Sequence, residues 1–376
     1  MGPIAAVWAR ALRDRGHEIE VISGYPHYPP GLWEQRVLPY REVRDGICVT
    51  RLPLWIGHAT TLQRVREELT YAASAAMAAA VFSRPDVVVT VSPSFLALAP
   101  AIANIRARRL PWILWLQDIF PDAAETTGLL SNPLALRPAR LLESAAYRAA
   151  DRIVVISETF RRNLLGKGVP EAKIERVYNP ATRRFGRKRP SAVEHERPRI
   201  LCMGNIGHSQ GLAEFVRAFQ GSAAGGDACL VITGTGELAE AVRDEIRSDR
   251  VEMLGLVSDE MLEEELDRAS LGLVSQRGDI REFNLPSKLM NLMARGIPIL
   301  ASVHPYSETA RIVRDSGAGW MVDASRPEEL ARTIARALSD DSALEDCGAA
   351  ALAFARGHFT PQALAARFDE VLLQLT

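Results

Sequence analysis

Cysteine is sparse in this 376-residue chain: Cys48, Cys202, Cys229 and Cys347 are scattered, and no C-x-x-C occurs. The spacing argues against a disulfide-stapled scaffold and against a zinc site built on thiolates. Cys202 and Cys229 lie inside apolar, strand-like runs and read as small buried hydrophobes in a reducing compartment. The seven histidines do not cluster with them, so no metal site is expected. Long apolar runs are missing too. The first of the two longest uncharged stretches, Leu69 to Ser83, falls short of the roughly 20 residues that cross a bilayer. The second, Val87 to Ile105, is broken by Ser92-Pro93-Ser94 and Pro100. The start, "MGPIAAVWARALRDRGHE", reads as an amphipathic helix with early charges and not as a signal peptide. A cytoplasmic protein that touches a membrane without crossing it is the expectation. No P-loop and no G-x-G-x-x-G occur, and no tract is polar or repetitive enough for disorder. Lysine is thin as well: none stands between Lys188 and Lys288, and none follows Lys288.

What is present is ordinary globular material, 47% hydrophobic and 24% charged, enough for two to three domains. The net charge of -1 hides an asymmetry. Met1 to Gly186 carries 24 Lys/Arg against 17 Asp/Glu, a surplus of seven; the remainder carries 21 against 29, a deficit of eight. A basic first half suits an anionic partner, such as a membrane surface or a lipid phosphate. It equally suits an Arg-rich solvated surface. Nucleic acid is not an expected partner, because the basic residues are dispersed and not interleaved with aromatics.

Strand-like and helix-like segments alternate along the chain. Ile4 to Arg15 predicts a helix and "HEIEVIS" a strand; "EVRDGICVTRLPL" predicts a hairpin around Asp45-Gly46. Helices follow over Thr61 to Phe82, Phe95 to Arg109, Leu134 to Ala150 and Glu158 to Gly166. The strands "PDVVVTV", "LPWILWLQD", "DRIVVIS" and "IERVYN" lie between and after them. The Pro- and Arg-rich stretch up to residue 198 reads as a linker. The pattern then restarts: four strands ("RILCMGN", "CLVITG", "VEMLG", "LGLVS") alternate with helices, one more helix and strand follow, and two or three helices close the chain. Such alternation predicts an α/β fold with two parallel sheets. The expected division is a first domain over 1–180, a linker over 181–198 and a second domain over 199–376, the last helix packing back on the first domain. Two such domains facing each other would leave a cleft, with ligands beyond the carboxyl ends of the strands.

Four stretches at strand or helix ends carry candidate chemistry. In "EFNLPSKLMNLMARGIPILAS", from Glu282, Pro286-Ser287-Lys288 opens a helix. Helix amides there are unpaired and favour an anion, and Lys288 adds a full charge. The plainer alternative is a capped surface helix with a chance lysine. "MGNIGHSQG" places Gly204, Gly207 and Gly211 between a strand and a helix; "GTGE" places Gly234 and Gly236 at the next strand end, and "GLVSDEML" begins at Gly255. Singly weak, these glycines jointly point to one phosphate- and nucleotide-binding rim. In the first half, Asp118 of "WLQDIFPD" leaves a buried strand. It either faces a substrate or caps the following turn.

These residues resemble the retaining glycosyltransferases of family 4, which have the GT-B fold. The likeness is greatest to the branch that builds bacterial exopolysaccharides, capsules and O-antigens, as in colanic acid synthesis. It rests on "RALRDRGHEIEVISGYPHYPPG", "LQDIFPDAAETTGLL", "ADRIVVISETFRRNLLGKGVPEAKIERVYNP", "GNIGHSQGL", "GTGE" and "LPSKLMNLMARGIPILAS", in family order over nearly the whole chain. The resemblance implies a nucleotide-diphospho-sugar donor, by default a UDP-sugar, on the second domain. It implies a lipid-linked or glycan acceptor on the first, and transfer with retention. No cofactor is implied, because helix amides and basic side chains stabilise the leaving diphosphate. Asp118 would orient or deprotonate the acceptor. Gly204, Asn205, Gly207, Gln210, Gly234, Gly236, Pro286, Ser287, Lys288 and Leu289 would cradle the donor. Leu256 and Val257 would meet the base, and Asn291 the ribose.

The chain departs from the family in several places. Asn205 and Gln210 stand where many members carry Arg and Lys, so Lys288, with Arg277 or Arg281, is expected to supply the charge. Of the family's paired glutamates, the second falls on Asn291 and the first near Glu282 or Phe283; Glu282 is the candidate third catalytic residue beside Asp118 and Lys288. Gln117 replaces a His that often precedes the acceptor-side Asp. Members usually begin with a strand and a glycine-containing loop, whereas this sequence opens at Met1-Gly2-Pro3 directly on the helix: either the true start lies upstream, or the first sheet lacks a strand, which would leave ladder groups unpaired. Two alternatives follow: a scaffold that keeps the fold without the chemistry, and a nucleotide-sugar epimerase of the same architecture.

Overall fold

The computed structural model describes residues 3–26, 37–57, 61–81, 84–92, 94–122, 133–186, 197–221, 227–279 and 285–375. The chain forms two compact units, Met1–Tyr178 with Pro361–Thr376, and Asn179–Thr360.

The first unit runs α1 (Pro3–Arg13), β1 (Glu20–Gly24), β2 (Tyr40–Arg44), β3 (Ile47–Leu52), α2 (Thr61–Val81), β4 (Val88–Ser92), α3 (Leu98–Arg108) and β5 (Trp112–Leu116). It continues with α4 (Pro133–Ala149), β6 (Arg152–Val155), α5 (Glu158–Gly166) and β7 (Ile174–Arg176). The expected hairpin is there. β2 and β3 pair antiparallel across Asp45 and Gly46, both at positive φ, the backbone that a two-residue primed turn demands. β1 lies parallel to β3, giving a three-stranded sheet, and β4-β5-β6-β7 form a separate parallel sheet. Among the described residues, β1 and β4 therefore have a strand neighbour on one side only. Ile22, Val89 and Val91 on these strands are exposed, in contrast to the fully buried "WILWL" of β5.

Helix α1 holds the two sheets together. Its Ala9 packs on Ile47 and Val49 of the smaller sheet. Its Trp8 meets Trp115 of β5 edge-on, with ring centroids 5.2 Å apart. The closing helix Pro361–Leu373 belongs to this unit: Phe368 packs on Trp8, and Asp369 accepts from Arg15 Nη2 and faces His17 Nε2, each at 2.6 Å.

The second unit runs β8 (Arg199–Met203), α6 (Leu212–Gln220), β9 (Cys229–Thr233), α7 (Ala239–Arg243), β10 (Val251–Gly255), α8 (Asp259–Arg268) and β11 (Leu271–Ser275). It ends with α9 (Ser287–Ala294), β12 (Ile299–Val303), α10 (Glu308–Ser316), β13 (Gly319–Asp323), α11 (Leu330–Leu338) and α12 (Asp341–His358). All strands pair parallel, in the order β10-β9-β8-β11-β12-β13. The order reverses between β8 and β11, a topological switch point of a doubly wound sheet. Two differences from the sequence reading stand out. An edge strand, β13, follows α10 where only helices were expected. Its "GWMVD" is short, and Gly319 is required because a Cβ there would sit 2.0 Å from the Ile299 carbonyl oxygen. The first part of the expected linker is also fixed to this unit. Ala181 N donates to Phe359 O at 2.9 Å and Gly186 N to Ala294 O at 2.8 Å, while Arg183 and Arg184 pair with Asp259, Glu263 and Asp267 of α8.

Candidate functional site

The switch point decides what meets in the second unit. The loop after β8 and the segment after β11 leave neighbouring strand ends, and α9 begins beyond the second. Met203 and Ser275, the last residues of the two strands, are buried. The loop after β8 then turns at Gly204, whose φ is +98° and whose Cα faces open space. Gly204 N donates to Thr233 O and Ile206 N to Thr235 O, both at 2.9 Å, so this loop runs against the loop after β9. That contact explains two of the sequence-predicted glycines. A Cβ on Gly234 would lie 2.0 Å from Gly204 O, and one on Gly236 would lie 2.4 Å from Ile206 O. Gly234 and Gly236 are thus required by backbone meeting backbone. Gly204 is the position left open to a ligand.

Lys288 is 7% exposed, in the first turn of α9. Its ammonium donates to Gln210 Oε1 at 2.8 Å and lies 4.0 Å from Cys202 Sγ. Gln210 in turn donates Nε2 to the Asn205 carbonyl oxygen, and its own carbonyl accepts from Ser275 Oγ at 2.6 Å. Sequence reasoning missed Ser275; a serine ending the apolar run "LGLVS" was the signal available. Lys288 therefore sits under the glycine loop on a chain of hydrogen bonds that runs through Gln210. A buried ammonium whose named partners are one amide oxygen and one thiol keeps most of its charge for an anion at the loop. Ser287 is exposed at the same helix start, Pro286 precedes it in extended conformation, and Leu289 anchors the turn in the core. By helix geometry, the amides of this first turn lack partners within the helix, apart from Leu289 N, which donates to Pro286 O at 3.0 Å.

The other predicted residues divide. Gly207 stands in the same loop, 3.0 Å from Asn205 Nδ2 by the position of a Cβ. Leu256 is exposed and Val257 half-buried just past β10, with Gly255 accepting from Gly234 N at 2.6 Å. Arg277 is paired with Asp279 at 2.5 Å. Asn291 is buried, and its Oδ1 accepts from Thr182 N at 2.7 Å and Arg183 N at 3.2 Å, so its carbonyl anchors the segment entering this unit. Its amide nitrogen takes no part in that anchor. Glu282, Phe283 and Arg281 lie outside the described residues.

In the first unit, Asp118 is half-buried beyond β5, and its Oδ1 accepts from Ile119 N at 2.8 Å. Helical turn begins at Phe120, so the capping reading of Asp118 has a geometric basis. Burial nevertheless pushes its carboxyl up to about 6, against the lowering effect of that amide. A small pocket beside it is lined by Ser92, Asp118, Glu143 and Tyr147 among others. Tyr147 donates to Glu143 at 2.8 Å, and Lys167 bridges Glu143 at 2.7 Å and Asp122 at 2.9 Å. Burial first, and Glu143 beside it, hold the Tyr147 hydroxyl well above its ordinary value. Gln117, next to Asp118, is half-buried. The Glu143–Tyr147–Lys167 cluster was not legible in sequence, because Glu143 and Tyr147 sit on α4 and Lys167 caps the end of α5, 24 positions beyond Glu143, with no local pattern that joins them.

No group of His, Cys, Asp and Glu that would hold a metal ion occurs among the described residues. Nor is any helix among them long and apolar enough to cross a membrane.

Comparison with known proteins follows the same division of the chain. Residues 1–180 match the Glycosyl transferase 4-like domain and residues 197–340 match Glycosyl transferases group 1. The probable glycosyltransferase WbjE of Pseudomonas aeruginosa is 28% identical over 264 residues, covering 67% of this chain and 66% of its own, just under two thirds. The putative colanic acid biosynthesis glycosyl transferase WcaI of Escherichia coli is 25% identical over 87% of this chain and 86% of its own. Among solved structures, sucrose-phosphate synthase of Thermosynechococcus elongatus superposes with a TM-score of 0.71 at 16% identity, covering 98% of this chain and 91% of that one. Anabaena HepE in complex with UDP superposes with a TM-score of 0.66 at 16% identity, covering 94% and 99%.

Proposed function

From the premise that the chain belongs to the GT-B glycosyltransferases, whose two domain types match it in order, we propose that it moves a sugar from a nucleoside-diphosphate donor to an acceptor hydroxyl. The observation that carries this reading is the meeting of the Gly204–Gln210 loop with Lys288 at the switch point of the second sheet. An anion placed there gains a helix start, open backbone at Gly204 and a buried ammonium. Anabaena HepE has been solved with UDP, with UDP-glucose, and with UDP and glucose. That supports a uridine diphosphate donor here.

In this reading the loop amides, Ser287 and Lys288 take up the charge that develops on the leaving diphosphate, and no metal is called for. The residues around Leu256 and Val257 meet the base. Asn291 offers the ribose its amide, its carbonyl being engaged elsewhere. The diphosphate leaves from the face on which the acceptor hydroxyl arrives, so the anomeric configuration is retained. Asp118, ionising near pH 6, accepts the acceptor's proton or orients its hydroxyl. The acceptor is a lipid-linked or glycan hydroxyl of a bacterial surface polysaccharide, a reading supported by the colanic acid relative. The site of action is the cytoplasmic face of the membrane.

A second reading, a scaffold that binds nucleotide without turnover, is favoured by the two-piece sheet of the first unit and the engaged Asn291. One experiment separates the two: incubation with UDP-glucose and other UDP-sugars, with release of UDP followed over time. Release above the uncatalysed rate, lost in Asp118→Asn, supports transfer. Tight UDP binding with no release from any donor leaves the scaffold.

A further inference from the structure

Helix α2 is built inside out for a surface helix. It spans Thr61–Val81, and its inner face packs into the first unit. Ala72, Ser74 and Ala78 are buried there, and Ser74 Oγ donates to Pro53 O at 2.6 Å. Its two acids also serve local contacts. Glu67 Oε2 accepts from Gly57 N at 3.0 Å and Glu68 Oε2 from Leu96 N at 3.3 Å. The outward face is the apolar one. Leu62, Leu69 and Met77 are 78%, 55% and 68% exposed, and Val65 and Ala73 are exposed with them. Spacings of three and four residues put these five on a single stripe, about 22 Å long at 1.5 Å per residue. A solvated helix carries charge on its outer face; this one carries apolar side chains there and spends its carboxylates elsewhere.

What belongs against the stripe is written in its margin. Arg66 is the charged side chain on that face among those described, and its guanidinium lies 4.3 Å from the ring of Trp55, itself half exposed. Trp55 N donates to Thr70 Oγ1 at 3.0 Å, which fixes the indole alongside the helix. An apolar stripe bordered by a tryptophan and a snorkelling arginine, with no acid facing out, matches the boundary between acyl chains and anionic headgroups. The half of the chain that contains it has a surplus of seven positive charges, which adds attraction of the same sign.

We propose that the outward face of α2, from Leu62 to Met77, docks this protein in the plane of an anionic lipid bilayer. The proposal rests on the reading of a lipid-borne acceptor and gives it a place: the unit expected to take the acceptor is the one held at the membrane. Vesicle co-sedimentation of the full chain tests it, with phosphatidylcholine–phosphatidylglycerol vesicles against phosphatidylcholine alone. The wild type should sediment with the mixed vesicles. The double variant Leu69→Glu/Met77→Glu changes only exposed positions, and should partition at least tenfold less while binding UDP unchanged in a calorimeter. Arg66→Gln should lessen the preference for phosphatidylglycerol. Equal sedimentation of wild type and double variant overturns the proposal. So does a wild type that ignores both vesicles, whether or not the stripe instead pairs two copies, as a concentration-dependent dimer abolished by the double variant would reveal. Vesicle binding without UDP binding leaves the docking face standing and counts against the donor reading instead.

Discussion

Lys288 and Gln210 decide how much positive charge the glycine loop can offer an anion. Replacing Lys288 with Met keeps the apolar stem and removes the ammonium. A charge-assisted contact is worth about 1.5–3 kcal/mol, so UDP affinity should fall about 10- to 100-fold by titration calorimetry. Gln210 sets how much of that charge is available. Gln210→Glu would pair with Lys288 and neutralise it, and should weaken UDP binding more than Gln210→Ala does. The reverse ranking would show that Gln210 contacts the ligand itself and does not act through the lysine. Asp118 gives a pH signature. Its carboxyl titrates near 6 in the fold, against an ordinary 3.8, so the protonated form is favoured by folding. The stabilisation it brings is complete below pH ~4 and is lost as pH rises through 6, a swing of up to about 3 kcal/mol. Asp118→Asn should therefore raise the melting temperature at pH 8 and leave it unchanged at pH 4, while lowering kcat at least about 100-fold if the carboxylate takes a proton. Identical wild-type and variant melting curves at pH 8 would contradict the burial argument. At this scale the sequence was readable where chemistry is local. A lone lysine at a helix start stands out, and so does an acid leaving a buried strand. Partners distant in sequence did not stand out: Gln210 is 78 positions from Lys288, and Asn291 is 109 from Thr182, whose amide takes its carbonyl.

Elements were more legible than residues, for a physical reason. Strands buried on both faces must read as unbroken apolar runs, and β5, β9, β11 and β12 do. The hairpin followed from Asp45-Gly46, because few other pairs take two positive φ angles. β13 was not legible, since five residues with one fully buried side chain leave no period to detect. Nor was the role of the glycines: Gly204 and Gly234 looked alike in sequence, but one faces open space and the other faces backbone. Substitution separates them. Gly234→Ala forces a Cβ onto Gly204 O at a positive φ and should destabilise the fold by about 2 kcal/mol or more in denaturant unfolding. Gly204→Ala meets no atom, so its effect is the strain of φ alone, about 1 kcal/mol, together with lost UDP affinity. Edges make the other prediction at this scale. Amides of β1 and β4 that point away from their one strand neighbour should exchange with solvent faster than those of β5, paired on both sides. Equal protection would mean that another segment covers those edges.

For the whole molecule, the candidate features divide between the two units. The first holds the Asp118 pocket and the apolar face of α2; the second holds the glycine loop and Lys288. A nucleotide that binds only the folded second unit stabilises it by mass action, by about 2.7 kcal/mol at a hundred times its Kd. The organisation into two α/β units was readable from the restart of the strand–helix pattern at Arg199. The way the chain enters the second unit was not. Residues 181–186 look like linker by composition, yet they are held by Asn291 and by α8 through contacts that no local pattern announces. The donor reading stands on a nucleoside diphosphate held at the Gly204–Gln210 loop by the charge of Lys288. The deciding measurement is titration calorimetry of the wild type and of Lys288→Met with UDP, GDP, ADP and dTDP. Saturable binding of one nucleotide, UDP, is expected, weakened about tenfold or more in a variant that melts at the same temperature as the wild type. Equal affinity in the two proteins, or no heat from any of the four nucleotides with a folded sample, would contradict it.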